Sequence, residues 1–187
     1  MENATLEHIE QAEHAEHAAH SGDKFTSTVS VTIAILAVVA ASVGSLETLE
    51  TAGAIASKNN AVLAQSRASD QWAFFQSKSL KKNLYEVAAV TSPEKQADFL
   101  AQAKRYDDEG KDIVTKATEL EHVSHEELHQ GEHHEHRHHV LTYGVTLLHV
   151  SIAIATIAII AKGKKWPWYL AMLLACGGVA ISATAYL

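Results

Sequence analysis

Three long stretches of the chain contain no Asp, Glu, Lys or Arg, and this feature limits the folds open to the chain more than any other. They are residues 25–46, 140–161 and 166–187. A helix needs roughly 20 apolar residues to cross the hydrocarbon core of a bilayer, and each stretch is long enough. The residues before the first stretch are rich in His and Glu, which is not typical of the short basic region of a cleaved signal peptide. We therefore predict three membrane-spanning helices rather than a water-soluble globular enzyme.

Charged residues and histidines are concentrated elsewhere, in an N-terminal tail, 1–24, and in a long middle segment, 47–139. The net charge of the 187-residue chain is -7, and its Lys and Arg residues are mixed with acids. This pattern argues against the basic stripe that binds nucleic acid. Cys176 is the single cysteine, so neither an intramolecular disulfide nor a zinc site built on paired cysteines is predicted.

The positions of Lys and Arg near the apolar stretches predict the orientation in the membrane. The second and third stretches are joined by a short basic turn, 162–165, which lies on the same side as Lys24. The opposite side has only Lys58 and Arg137 within the same reach. Because cytoplasmic loops carry the excess of positive charge, we expect a cytoplasmic N-terminus and, in a bacterial inner membrane, a periplasmic middle segment.

The middle segment is predicted to form an antiparallel hairpin of two long helices. Its arms are separated by a turn at 91–94, where Ser92 is a suitable N-cap and Pro93 a suitable first helical residue. The two arms have similar lengths, as a hairpin that leaves the membrane and returns to it requires. The fold class is therefore all-α and integral membrane, with three transmembrane helices and this hairpin between the first and the second.

The returning arm of the hairpin has a heptad pattern in which large and small residues alternate. The members of this seam are Phe99, Ala103, Tyr106, Gly110, Ile113, Ala117, Leu120 and Ser124. Such a pattern is typical of a coiled coil with closely packed helices. The outgoing arm is less regular, and we predict its seam from its larger apolar residues: Ile55, Val62, Trp72, Phe75, Leu80, Leu84 and Val87. Because two helices bury apolar residues on one face only, copies of the chain are expected to pack together as a homo-oligomer in the bilayer.

Small residues also recur at four-residue spacing inside the apolar stretches. They are Ala37, Ala41 and Ser45 in the first stretch and Ala171, Ala175, Gly178 and Ser182 in the third. Membrane helices approach closely along such residues. Packing within one chain and packing between copies both remain open at this point.

Thirteen histidines are present, and twelve of them lie in the N-terminal tail or between 122 and 139. In a helix, His125, His129 and His133 share one face, and their imidazoles have the spacing to bind zinc or another divalent metal ion. A solvated face that responds to pH, or a simple compositional bias, is an equally good interpretation. Apart from this metal, no cofactor is predicted.

The segment from His125 to His129 also matches the H-E-x-x-H pattern of zinc peptidases. A segment rich in His and Glu produces this pattern readily by chance. If Leu120 and Ser124 face the partner helix, the two histidines point about 140 to 180 degrees away from it, where no cleft encloses a substrate. We therefore expect a protein without enzymatic activity and without catalytic residues.

His149 is the one histidine inside a predicted span, roughly ten residues from its start. An ionisable group at that depth is costly and usually faces the interior of a helix bundle, which makes His149 the best single candidate for a function within the membrane. The alternative is a neutral imidazole that is hydrogen-bonded to a neighbouring helix, for example to Ser42 or Ser182.

Two segments resemble a bacterial membrane-protein family, domain of unknown function 4337. One is SDQWAFFQSKSLKKNLYE at 69–86, and the other is the span that reads TLLHVSIAIATIAII. The resemblance implies the order span, hairpin, span, span, and it implies no activity. The residues that match in the hairpin are Gln71, Trp72, Gln76 and Lys78. The chain departs from the family at Phe74 and Phe75, where tyrosines are expected, and at His149, where glutamine is expected.

Overall fold

The computed structural model describes residues 24–161 and 164–187, and in these residues all regular secondary structure is helical. Residues 1–23 of the predicted N-terminal tail and residues 162 and 163 of the basic turn lie outside the described residues, whereas Lys24 is the first residue of the first helix. Helix α1 comprises Lys24–Thr91, α2 comprises Gln96–Ile160 and α3 comprises Trp166–Thr184. Each helix contains a window that is long and apolar enough to cross a membrane. The predictions of an all-α chain and of three long apolar helices are thus confirmed.

The connection between α1 and α2 is a short 3-10 helix, Pro93–Lys95. The backbone N–H of Ser92 donates to the carbonyl of Ala88 at 3.0 Å, and the N–H of Lys95 donates to the carbonyl of Ser92 at 3.1 Å. Ser92 is the N-cap residue, but its hydroxyl makes no capping hydrogen bond. The break lies where the sequence predicts a turn, and α2 begins after it, at Gln96.

The described residues divide into two compact units. Unit 1 contains the apolar parts of α1 and α2 together with α3, and it includes 24–53, 133–161 and 164–187. Unit 2 is 54–132. The sequence places the hairpin at 47–139, whereas the structure groups 47–53 and 133–139 with the apolar helices. The reason is a set of polar contacts among these residues, described below.

The core of unit 1 is built from one apolar stripe on each of its helices. The buried members are Val29, Ile33, Leu36, Ala40, Leu148, Ile152, Ala155, Ala158, Ala171 and Ala175. The small residues of α3 lie on its buried face, where a Cβ added to Gly144 of α2 would overlap the hydroxyl of Ser182. Close approach of α2 and α3 therefore requires glycine at 144. On α1, by contrast, Ala41 and Ser45 are exposed.

The two helical segments of unit 2 pack along a seam of buried and half-buried residues. On α2 these include the predicted set: Ala103, Gly110, Ile113 and Ala117 are buried, and Phe99, Tyr106 and Leu120 are half-buried. On α1 they recur at alternating intervals of three and four and are mostly small: Ala54, Ser57, Ala61, Ala64, Ala68, Gln71, Phe75, Lys78, Lys82, Tyr85 and Ala89. Small residues on one helix let the other approach closely.

The prediction for the outgoing arm is wrong for its larger aliphatic residues. Trp72 and Phe75 are half-buried, but Ile55, Val62, Leu80, Leu84 and Val87 are all exposed. Residue size misled the prediction, because five of the eleven seam positions are alanines and these larger aliphatic side chains lie outside the seam.

Contacts within unit 2 join early residues of α1 to late residues of α2, and later residues of α1 to early residues of α2. The Ser124 hydroxyl donates to the carbonyl of Ala61 at 2.9 Å. Nearer the turn, the ring of Tyr85 stacks on that of Tyr106 with a centroid separation of 5.7 Å.

Candidate functional site

A buried carboxylate, that of Glu50 on α1, is the centre of a polar cluster in unit 1. Glu50 is only 8% exposed. Its oxygens accept hydrogen bonds from Nδ1 of His134 at 2.6 Å and from the Tyr186 hydroxyl at 2.9 Å. The guanidinium of Arg137 lies 3.9 Å from the same carboxylate. Glu50 therefore has partners on α2 and at the end of the α3 segment.

A second group of contacts, one turn away, extends the cluster. The Thr142 hydroxyl donates to Glu47 at 2.6 Å. Nδ1 of His138 lies 2.9 Å from the hydroxyl of Thr51 and 3.7 Å from Glu47. These residues meet because they follow each other at helical spacings of three and four on the facing sides of α1 and α2. We call the whole set the polar cluster: Glu47, Glu50, Thr51, His134, Arg137, His138, Thr142 and Tyr186.

Gly53 makes room for the His134 ring. A Cβ added to Gly53 would lie 2.9 Å from Nδ1 and from Cε1 of that ring. Because ordinary carbon contacts are longer, a side chain at 53 would have to displace the imidazole. The glycine thus allows His134 to reach Glu50 beside the α1 backbone.

The environment of Glu50 favours its ionised form. Burial raises the pKa of Glu50, but hydrogen bonds from His134 and Tyr186 and the positive charge of Arg137 outweigh burial, so that the pKa lies below its usual value. Glu50 is therefore an anion at neutral pH, and it joins segments that are far apart in the sequence.

The polar cluster was not predicted from the sequence, although the sequence contains one signal for it. The heptad that contains Ile113 and Leu120 continues in steps of seven to His134, and the one that contains Ala117 continues to His138. Extending the seam would therefore have assigned these two histidines to the face that packs on α1, opposite the carboxylates that follow the first apolar stretch.

The three histidines predicted as metal ligands are exposed on α2: His125, His129 and His133. Glu126, the residue that a peptidase mechanism would require, is exposed as well. Within residues 24–161 and 164–187, no group of three or more His, Cys, Asp or Glu side chains is arranged to bind a metal ion. A complete metal site in this part of one chain is therefore not found.

His149 is exposed on the surface of unit 1, so within one chain it does not face the interior of the helix bundle. It directly follows Leu148, a fully buried core residue, and therefore points about 100 degrees away from the core direction. The two serines considered as partners both donate to backbone carbonyls of their own helices, Ser42 to Val38 and Ser182 to Gly178.

The hairpin residues matched by the family resemblance have different environments. The indole N–H of Trp72 donates to Glu121 at 2.8 Å. The ammonium group of Lys78 donates to Glu109 at 2.6 Å and lies 5.3 Å from the centre of the Tyr106 ring. Gln71 is half-buried and Gln76 is exposed. Trp72 and Lys78 therefore join the two segments of unit 2.

Ion pairs near Lys78 shift several pKa values. The hydrogen bond from Lys78 lowers the pKa of Glu109. Hydrogen bonds from Lys82 and Lys111 lower the pKa of Asp107 to about 2. Asp108 and Asp107 together raise the pKa of Lys111 to about 12. Two of these pairs, Lys78 with Glu109 and Lys82 with Asp107, join the two segments of unit 2, whereas Lys111 pairs with carboxylates of its own helix.

The two helices of unit 2 differ most on the sides that face away from their seam. The outer row of α1 is defined from its seam: it takes the residue one after Ala54, the residue two after Ser57, and so on in alternation along the seam. Its members are Ile55, Asn59, Val62, Ser66, Ser69, Ala73, Gln76, Leu80, Asn83, Val87 and Val90. The equivalent outer row of α2 is Ala101, Lys104, Asp108, Lys111, Thr115, Thr118, His122, His125, His129 and Glu132. Every member of both rows is exposed. The row on α1 contains no charged residue, whereas the row on α2 contains no apolar residue larger than alanine.

Comparison with known proteins gives one family. The family model described as Domain of unknown function (DUF4337) matches residues 25–187. No curated protein and no solved structure shows a significant match. The match covers all three apolar helices and the segment between them. The resemblance seen in the sequence is confirmed, and the chain belongs to the DUF4337 family.

Proposed function

We propose that this protein is a multi-pass membrane protein without enzymatic activity that assembles into a homo-oligomeric scaffold or partner-binding assembly. The observation that carries the proposal is the contrast between the two outer rows of unit 2. Exposed positions of a helix hairpin in water are normally polar, as nearly all of those in the α2 row are. The α1 row is equally exposed, carries no charge and has five large aliphatic side chains among its eleven members, which is typical of a surface that another protein covers.

Lipid is the natural environment of unit 1. Large aliphatic side chains, among them Val31, Ile35 and Val38 of α1 and Leu173 of α3, are more than half exposed on the spans. Their exposure to water would be unfavourable by about 25 cal/mol for each Å² of apolar surface, whereas lipid accepts them. The three long apolar helices point to a membrane location.

The proposed orientation follows the distribution of basic residues. Lys24, Lys164 and Lys165 belong to the side with more positive charge, so the N-terminus and the basic turn are cytoplasmic. The helices of unit 2 then form a coiled-coil-like hairpin on the other side, which in a bacterial inner membrane is the periplasm.

Binding, sensing or transport of a divalent metal is the second candidate function. It is favoured by the exposed histidines of α2, since His125, His129 and His133 follow each other at intervals of four residues. Two imidazoles at this spacing can share a zinc ion, and ligands from a second copy could complete the coordination. A zinc peptidase that uses Glu126 is a weaker version of the same idea.

The oligomeric state, measured with and without a chelator, tests the proposal. The full chain is reconstituted in lipid nanodiscs, and its mass is determined by native mass spectrometry before and after treatment with EDTA. We expect an assembly of several copies that survives the chelator. A monomer at all protein concentrations would overturn the scaffold proposal, and an assembly that dissociates in EDTA and re-forms with zinc would replace it with the metal-binding function.

Two variants separate the metal and peptidase functions from the scaffold. The double variant His125→Ala and His129→Ala is expected to assemble like the wild type. If it loses metal-dependent assembly, the histidine face is the functional site. For the peptidase, Glu126→Gln should leave any casein cleavage by the purified protein unchanged. Loss of cleavage in this variant alone, with metal still bound, would assign an enzymatic role to Glu126.

A further inference from the structure

We propose that the outer row of α1 is a second heptad seam, on which the α1 helix of a second copy packs in parallel and in register. This inference rests on the self-association proposed above and identifies the surface responsible for it. The partner is therefore another copy of this chain rather than an unrelated protein.

The first step is the regularity of the row. From Ile55 to Val90 its members follow each other at alternating intervals of four and three residues, the spacing of a coiled-coil seam. At 100 degrees per residue the row lies about 150 degrees from the seam that packs on α2. The same stretch of α1 thus has two heptad faces on nearly opposite sides, of which α2 covers one.

The second step concerns the side chains of the row. The five large aliphatic ones, Ile55, Val62, Leu80, Val87 and Val90, are between 57% and 78% exposed. They lie toward the two ends of the row, and Ser66, Ser69 and Ala73 lie between them. Large residues at both ends can interlock, while the small residues in the middle let two backbones approach closely.

The third step is the distribution of charge, which selects the partner surface. The outer row of α2 contains Asp108, Lys111 and Glu132, and packing the neutral row of α1 against it would bury charges without compensation. The row on α1 carries no charge, so two copies of it match each other. The same helix in a second copy is the complementary surface that the described residues provide.

The fourth step is the direction of packing. Copies inserted in one membrane with the same orientation have parallel α1 helices. In a parallel pair, Lys58 lies opposite Leu63 of the other copy, and Gln65 lies opposite Asp70, so that no like charges meet beside the seam. Asn59 lies at a core position of this second seam. In a parallel pair in register it faces Asn59 of the other copy, and such a pair of asparagines favours this register over others.

Disulfide crosslinking tests this arrangement. In a background with Cys176→Ser, the variants Val62→Cys and Leu80→Cys place one thiol in the outer row of α1. The matched control is Thr118→Cys, which places an exposed thiol in the outer row of α2. The full-length variants are oxidised with diamide in nanodiscs that hold several copies, and dimers are separated by denaturing electrophoresis without reductant. For both α1 variants we expect most of the protein to be in disulfide-linked dimers. The α2 variant should remain largely monomeric.

The outcomes distinguish this inference from the proposed function. If native mass spectrometry shows an oligomer but the α1 variants do not crosslink, or if Thr118→Cys crosslinks as well as they do, the scaffold stands and the α1 seam is wrong. If the protein is monomeric in every membrane mimetic, both fail. As an independent measurement, Leu80→Asp should shift the oligomer toward monomers, and Thr118→Asp should not. An unchanged oligomer in Leu80→Asp, with helix content equal to that of the wild type, would also refute the seam.

Discussion

Gly53 and His134 are in such close contact that a methyl group on the glycine would lie 2.9 Å from two atoms of the imidazole ring. The ring cannot simply move away, because its Nδ1 is hydrogen-bonded to the buried carboxylate of Glu50. The contact therefore fixes how the polar cluster of unit 1 is built, and it gives the first prediction.

Gly53→Ala should destabilise the protein although alanine is the better helix former. The substitution gains about 1 kcal/mol of helix propensity, but forcing apart a packed contact costs about 1 to 3 kcal/mol and separates His134 from Glu50. We expect a lower melting temperature in detergent, followed by circular dichroism. The control is Gly44→Ala in the same helix, because a Cβ at Gly44 has no neighbour within 4 Å. If Gly53→Ala is as stable as Gly44→Ala, the close contact has no energetic role.

Glu50→Gln should lower the stability of the folded protein and make that stability less sensitive to acid. The pKa of Glu50 is depressed in the folded state, so its contribution is fully present above its usual pKa of 4.5 and is lost as the pH falls through the lower folded value. Loss of the charge also weakens the hydrogen bonds to His134 and Tyr186, which should lower the free energy of unfolding by about 1 to 3 kcal/mol.

The measurement for Glu50 is the melting temperature between neutral pH and pH 3. We expect the difference between the wild type and Glu50→Gln to be largest near neutral pH and to shrink as acid is added. Glu119→Gln, at an exposed position of α2, is the control and should follow the wild type. A difference that stays constant with pH would show that the charge of Glu50 does not contribute to stability.

Asp107 should make unit 2 resistant to mild acid. Its pKa of about 2 is held down by Lys82 and Lys111, whereas its usual value is 3.8. The stabilisation that it provides is thus nearly complete above its usual pKa of 3.8 and is lost as the pH falls through the folded value of about 2. Asp107→Asn should be less stable than the wild type at neutral pH, and the difference should shrink as the pH falls and become small near pH 2, as measured by thermal unfolding of the full chain. Asp112→Asn, an exposed change on the same helix, should show no such convergence.

The features that the sequence predicted correctly are those set by long, regular patterns. The three apolar helices follow from the absence of charge over the length of a bilayer, and the break near Pro93 follows from the only proline between the first two spans. On α2, bulky residues such as Tyr106 and Ile113 alternate with small ones, and this made the heptad visible.

The features that were missed depend on small or polar residues in the seam. Five of the eleven seam residues of α1 are alanines, of which Ala61 and Ala68 are almost fully buried, and alanine gives no strong hydrophobic signal. His134 and His138 lie in a segment of low complexity, where their seam positions are hidden by exposed histidines. The outward position of His149 depends on which face of α2 meets α1 and α3, and the span is apolar on all sides.

The alanine seam of unit 2 yields a last prediction, which tests the packing of the two segments. Ala117 has no exposed surface, so leucine at this position would add three carbons where no space is left. Both residues favour helices, and the change should therefore act through packing, with a loss of about 1 to 3 kcal/mol in the free energy of unfolding. Thr118→Leu, one residue along on the exposed side, is the matched control and should be nearly neutral. Thermal unfolding of both full-length variants gives the comparison. An Ala117→Leu protein as stable as its control would mean that the two segments do not pack through their small residues.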